Sequence, residues 1–345
     1  MEIFVLVPVD SEALFRQRNV PGLGPVFYRP GSETLFQRVI RKLGWRDIDE
    51  TLALRLGVLG GLDFLDRIQA VWMSPSLYLP SALLERLLDR STRLKWVYSQ
   101  VTGTEHLDLG LFKERGVMVS NGAGLNSRGV AEMALACVFA HAKRLPMHLA
   151  LQRQRQWKSL PADDLHRQVV GVIGTGNIGG EVASLCRAIG MRVVGASRDP
   201  KRFGHDPFPY HDVVPLDEDM DLLLAGADHV VLALPLNQRT QGLIGKSELG
   251  KMRRDASLIN VARGALVNEV DLCVALSDGR IGAAYIERPT RLPPPPWSRL
   301  YRTKNLMFTH YSAANSPHLT KEAFEQFLAG LRCLEETGQP PARVA

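Results

Sequence analysis

Two rhythms of apolar and polar positions divide the chain. From Val169 onward, short apolar runs alternate with longer amphipathic stretches. The runs are VVGVIG, MRVVGAS, HVVLALP, ASLINVA, IGAAYI and NLMFTH, with helix-like segments between or before them. Such a pattern predicts strands buried on both faces of a parallel sheet, joined by helical crossovers. GNIGGEVASLCRAIG predicts a helix that stops at Gly190. The tail HLTKEAFEQFLAGLRCLEETG predicts one more amphipathic helix.

Before Val169 the pattern is less regular. IFVLVPV, QAVWMS and LKWVYS read as strands, and SETLFQRVIRKLG and LPSALLERLLDRS as helices. Residues 21–61 read as loop-rich. Residues 127–145 predict one long apolar helix, and QRQRQWKSLPADDLHRQ after it predicts an exposed connector. There are no internal repeats. The fold class is α/β.

Composition narrows the function. A chain of 345 residues with 45% apolar content suits about two globular domains. A net charge of +6 and a pI near 9.2 suit anionic substrates. There is no Lys/Arg run and no basic stripe with interleaved aromatics, so no nucleic-acid partner is expected. Cys137, Cys186, Cys273 and Cys333 are far apart, without a CxxC pair, and read as free thiols of a reducing compartment. The start, MEIFVLVPVD, lacks the basic flank of a signal peptide. No apolar stretch reaches the ~18 residues of a membrane span. A cytoplasmic protein without a membrane partner is expected.

Gly174-Thr-Gly176-Asn177-Ile178-Gly179 is a GxGxxG that follows a strand and opens a helix. That context is what a dinucleotide site needs. Gly174 permits the tight turn, Gly176 lets the backbone approach a pyrophosphate, and Gly179 lets helix and strand pack closely. The helix N-terminus supplies N–H groups to the phosphates. At the end of the second strand an acid would hold the ribose hydroxyl of NAD. That position is Ser197, followed by Arg198, with Lys201 and Arg202 close behind and Asp199 two residues late. Serine plus guanidinium favours a 2′-phosphate, so NADP(H) is expected, with NAD(H) possible.

From about Gln69 onward the chain resembles the D-isomer-specific 2-hydroxyacid dehydrogenases. The motifs that carry the likeness are LKWVYSQVTGTEHLDL, ERGVMVSNGAGLNSRGVAEMAL, VVGVIGTGNIG, ADHVVLALPLNQRTQGLIG, LINVARGALVNE, GRIGAA and THYSAANSP. The resemblance implies two Rossmann-like lobes. A flavodoxin-like substrate lobe would comprise residues 1–120 plus 311–345, and a doubly wound nucleotide lobe residues 121–310. It implies a homodimer built on the 127–145 helix and the following arm. It implies hydride transfer between a nicotinamide cofactor and a small anionic 2-keto or 2-hydroxy acid, in the cleft between the lobes.

Residue by residue, the likeness makes Arg263, in NVARGAL, the group that anchors the carboxylate and polarises the keto oxygen. His310 becomes the proton carrier. Thr102 and Gly103, in QVTGTEH, match the loop whose amides hold the carboxylate. Pro235 and Thr240, in ALPLNQRTQG, and Val261 and Ala262, beside Arg263, fall to the cofactor with Asn177 and Ile178. His205 and His211, in HDPFPYHD, sit in a proline-rich loop without fixed ligand geometry, so no metal is expected.

One expected residue is missing. The family has a glutamate that hydrogen-bonds the histidine, but no Asp or Glu lies between Glu287 and His310. Arg288, Arg291, Arg299, Arg302 and Lys304 fill the interval instead, around a tetraproline. Glu287 aligns with a family aspartate that contacts the nicotinamide amide. Three readings follow. Glu287 itself turns to His310. A neutral group, such as Thr290 or a backbone carbonyl, holds the ring. Or catalysis has decayed, leaving an NAD(P)-binding dimeric regulator like the corepressors that share this fold. Survival of Arg263, His310 and the glycine loop favours an enzyme. The basic loop suggests a second anionic group on the substrate, such as the phosphonate of an unusual acid.

Overall fold

The computed structural model describes residues 3–8, 23–29, 53–54, 68–73, 88–89, 91–103, 107–203 and 208–340. They fall into two compact units. One is Met1–Leu125 with Pro317–Ala345, and the other is Asn126–Ser316. The boundaries lie a few residues beyond those expected at 120/121 and 310/311. The later one moves because residues 311–313 are hydrogen-bonded to Glu287 of the second unit.

The first unit holds six strands: β1 (Ile3–Pro8), β2 (Leu23–Arg29), β3 (Ala53–Leu54), β4 (Ile68–Met73), β5 (Trp96–Ser99) and β6 (Met118–Asn121). Their order is β3-β2-β1-β4-β5-β6, parallel except for β3. Without β3 this is the flavodoxin-like order. β2 lies inside the 21–61 segment that read as loop. Gly24 and Pro25 break the strand pattern there, as such residues do. The predicted helix SETLFQRVIRKLG, and all but a few residues of LPSALLERLLDRS, lie outside the described residues. The tail forms helix Leu319–Thr337, which stacks Phe327 on Trp96 with ring centres 5.2 Å apart. A Cβ at Gly330 would meet the Trp96 ring at 2.3 Å, so only glycine lets this helix lie so close.

The second unit is one parallel sheet of β7 (Val169–Ile173), β8 (Arg192–Ser197), β9 (Asp212–Pro215), β10 (His229–Leu232), β11 (Ser257–Asn260), β12 (Ala283–Ile286) and β13 (Leu306–Phe308). The order is β13-β12-β11-β10-β7-β8-β9. Counted from β7, this is the doubly wound dinucleotide-binding order, whose reversal lies between β7 and β10. β9 escaped the sequence reading because it is short and half exposed. The predicted 127–145 helix ends at Ala142, since Arg144 turns left-handed at φ 53° and Pro146 opens a new helix, Leu145–Arg153. Among the described residues no helix is long and apolar enough to cross a membrane.

One polar cluster sits in this core, at the strand ends opposite the glycine turn. The His229 ring is fully buried, 2.8 Å from Ser257 Oγ and 2.9 Å from Gln168 Oε1. Burial, with the nearby His141, pulls its pKa down to about 3. The folded value lies below the ordinary 6.5, so the unfolded chain takes up the proton first as pH falls. Its contribution is complete above about pH 6.5 and is lost toward 3, at up to about 1.4 kcal/mol per pH unit. The expected result is a clearly lower Tm at pH 5 than at pH 7, with a shallower pH slope in His229→Gln. Equal slopes in the two proteins would contradict it.

Candidate active site

Ligands of open α/β sheets gather at the carboxyl ends of the strands, near the reversal of strand order. The expected cofactor and catalytic groups of the second unit are at such strand ends. Gly174 follows β7 with φ +100°, and its absent Cβ would meet the Ala233 carbonyl at 2.7 Å, at the end of β10. Gly176 caps helix Asn177–Ala188, and a Cβ there would enter open space. Its backbone is thus open to an incoming group. At Gly179 a Cβ would fall 1.9 Å from the Gly174 carbonyl oxygen, so any side chain would force helix and turn apart. The turn fits a pyrophosphate on the helix N-terminus. Asn177 is exposed and Ile178 half-buried on the first turn of that helix.

Ser197 ends β8, buried, and its hydroxyl accepts the Asp199 N–H at 3.2 Å. Arg198 is exposed and makes no hydrogen bond with any described residue. After β10, the buried Thr240 hydroxyl donates to the Pro235 carbonyl and accepts the Asn237 N–H, each at 2.8 Å. Thr240 thereby closes the loop that presents Pro235. His211 is structural, its Nδ1 accepting the Val193 N–H at 3.0 Å. Among the described residues no cluster of His, Cys, Asp and Glu could hold a metal ion.

Arg263 lies just past β11 on a turn that Asn260 holds. The Asn260 side chain accepts the Ala262 N–H at 3.0 Å and donates to the Arg263 carbonyl at 2.8 Å. Val261 is buried and Ala262 half-buried beside it. Sequence reading missed Asn260, although the asparagine of INVARG was the available signal. Gly264 is hemmed in by Arg288, Pro289 and Thr290, whose backbone atoms a Cβ would meet at 2.3–2.7 Å.

Glu287 is 5% exposed, and its carboxylate accepts the Ala313 N–H at 2.6 Å and the Thr309 hydroxyl. Its carbonyl accepts the Tyr311 N–H at 2.9 Å. Glu287 therefore grips the turn on both sides of His310, and no hydrogen bond joins it to the ring. His310 and Tyr311 both adopt left-handed backbone, φ 55° and 58°, a conformation that persists only when surroundings impose it. The His310 ring is exposed, set edge-on to Phe308 at 6.4 Å. The Thr290 N–H is taken by Glu269 at 2.7 Å. Burial raises the Glu287 carboxyl pKa, and the N–H groups of Ala313 and Ser312 oppose that shift.

Thr102 and Gly103 belong to the first unit, just past β5. There Asn121, at the end of β6, donates to the Thr102 carbonyl at 2.6 Å.

Residues 135–313 match the family described as D-isomer specific 2-hydroxyacid dehydrogenase, NAD binding domain. That is more than half of the chain, and the protein belongs to this family. It is 30% identical over 236 residues to a D-3-phosphoglycerate dehydrogenase of Archaeoglobus fulgidus, covering 67% of this chain and 43% of that one. The chain thus spans less than half the length of that relative. It is 28% identical over 254 residues to glyoxylate/hydroxypyruvate reductase B of Erwinia tasmaniensis, covering 71% of this chain and 78% of the relative. Among solved structures, the TT0316 protein of Thermus thermophilus is similar with a TM-score of 0.70 and 27% identity, covering 99% of this chain and 100% of that one.

Proposed function

We propose that the protein is an NADP(H)-preferring reductase of small 2-keto acids, working as a D-2-hydroxyacid dehydrogenase. The observation that carries this reading is the placement of Arg263 and His310. Asn260, Ile286 and Phe308 share one rung of β11, β12 and β13, and Arg263 and His310 emerge within three residues beyond it. The names of relatives that reduce glyoxylate and hydroxypyruvate agree with such a substrate.

A nicotinamide cofactor held at the turn of Gly174, Gly176 and Gly179 would supply the hydride. Arg263 binds the substrate carboxylate through its fork and draws electron density toward the keto oxygen. The His310 ring, engaged by no hydrogen bond among the described residues, delivers a proton to that oxygen. Glu287 acts through the backbone, holding His310 in place. The arm after the 127–142 helix exposes Leu145, Met147, Leu149 and Trp157, which supports a homodimer. Light scattering that gives a single-chain mass would refute that part.

The test combines cofactor and substrate. NADPH and NADH are titrated into the protein, then glyoxylate, hydroxypyruvate, phenylpyruvate and phosphonopyruvate are added. NADPH is expected to bind more tightly and to be oxidised by at least one acid. Arg198→Ala should weaken NADPH binding by about 10- to 100-fold and leave NADH nearly unchanged, the loss of one charge-assisted phosphate contact. Tighter binding of NADH by the wild type would reverse the cofactor assignment. Tight binding with no turnover would favour a regulator.

A further inference from the structure

The proposed reaction needs one carboxylate held and one carbonyl polarised. The strand ends that carry Arg263 and His310 offer more positive charge than that. β12 lies between β11 and β13, and Arg288 leaves it two residues past the shared rung. Arg288 therefore stands in strand order between Arg263 and His310. Its guanidinium lies 5.0 Å from the centre of the Tyr311 ring, the residue next to His310. It is half-buried, and it makes no hydrogen bond or ion pair with any described residue. Arg128, Arg239 and Arg253, by contrast, each meet a carboxylate. The carboxylate nearest in sequence, Glu287, is engaged by Thr309 and Ala313.

The ring shelf covers one face of the guanidinium and leaves its N–H edge available. A planar fork held in this way suits bidentate capture of a carboxylate or phosphonate. The other basic residues of the loop differ. Arg291, Arg299, Arg302 and Lys304 are all exposed, and none has a ring contact or ion pair among the described residues. They add to the local field, whereas Arg288 has a fixed position.

We propose that Arg288 is a second anion-binding residue of the site and that the substrate is a dianion, a 2-keto acid bearing a further carboxylate or phosphonate. This rests on the reading of the Arg263–His310 strand ends as a 2-keto acid site. Arg288 binds the distal anion while Arg263 holds the carboxylate beside the carbonyl. The residue thus selects the substrate and takes no part in proton or hydride transfer.

The test is calorimetric titration of the protein saturated with NADP+, where no reduction of a keto acid takes place. Pyruvate and glyoxylate serve as monoanions, oxaloacetate and phosphonopyruvate as dianions. The wild type is expected to bind at least one dianion about tenfold or more tightly than pyruvate, and which one tells carboxylate from phosphonate. Arg288→Gln should weaken that dianion by about 10- to 100-fold and leave pyruvate unchanged, the range of a lost charge-assisted contact. Arg288→Lys should fall between, and the exposed-loop control Arg299→Gln should match the wild type. Equal weakening of both classes, or no preference in the wild type, overturns the proposal. The two readings fail separately. Dianion discrimination without any NADPH oxidation keeps the anion site and removes the reductase. Turnover of monoanions with no effect at Arg288 does the reverse.

Discussion

Arg263→Ala is expected to lower kcat/KM by about a thousandfold or more while leaving NADPH affinity close to that of the wild type. The residue combines two tasks. Its fork matches a carboxylate, and in the proposed reaction it would face the charge that builds on the keto oxygen, so its contribution would grow toward the transition state. Loss of one such donor typically costs about 10²–10³ in kcat, and loss of the carboxylate anchor adds to KM. Arg263→Lys should recover little, because an ammonium lacks the planar fork. Asn260 bonds the backbone of the turn at both Ala262 and Arg263 and is retained in the variant, so the variant should fold. Steady-state kinetics with a fluorescence titration of NADPH separates the two effects. A fall confined to cofactor binding would place Arg263 with the nucleotide.

The second large effect is at Glu287, and two substitutions separate two roles. If the carboxylate served as the charge partner of the His310 ring, Gln and Ala would be about equally damaging. The structure gives it another task. It joins Thr309 and Ala313, the two sides of a turn in which His310 and Tyr311 are both left-handed. A glutamine can still accept the Ala313 N–H and donate to the Thr309 hydroxyl. Glu287→Gln is therefore expected to stay within about fivefold of wild-type kcat. Glu287→Ala leaves both groups without a partner and frees the turn. A displacement of about 1 Å at a catalytic group costs on the order of a hundredfold, the loss expected in kcat. KM should move much less if, as proposed, Arg263 still binds the carboxylate. Equal losses in the two variants would restore Glu287 as a charge partner.

These assignments show what a sequence can carry. The glycine turn was legible as a local spacing: Gly174 and Gly179 each answer to a close backbone carbonyl, and Gly176 leaves its own backbone open. Six of the seven strands of the second unit were legible as apolar runs, and the half-exposed β9 was not. Arg263 and His310 could be placed because both follow such strands. The contacts of Glu287 were not legible. Its partners lie more than twenty residues away, and only the pairing of β12 with β13 brings them together. Asn260 was missed for a related reason, since an asparagine that closes a turn looks like any polar residue at a strand end. β2 and the break at Arg144 were hidden by local chemistry that runs against the apolar rhythm.

The central claim is hydride transfer to a 2-keto acid by a site that contains Arg263 and His310. The most direct measurement uses NADPH deuterated at the transferring position, with mass spectrometry of the product acid. The account predicts a 2-hydroxy acid of the D configuration with one deuterium at C2, formed by the wild type and lost in His310→Ala, which still binds NADPH. Cofactor that binds while no keto acid acquires deuterium, or equal labelling by the wild type and His310→Ala, would contradict it.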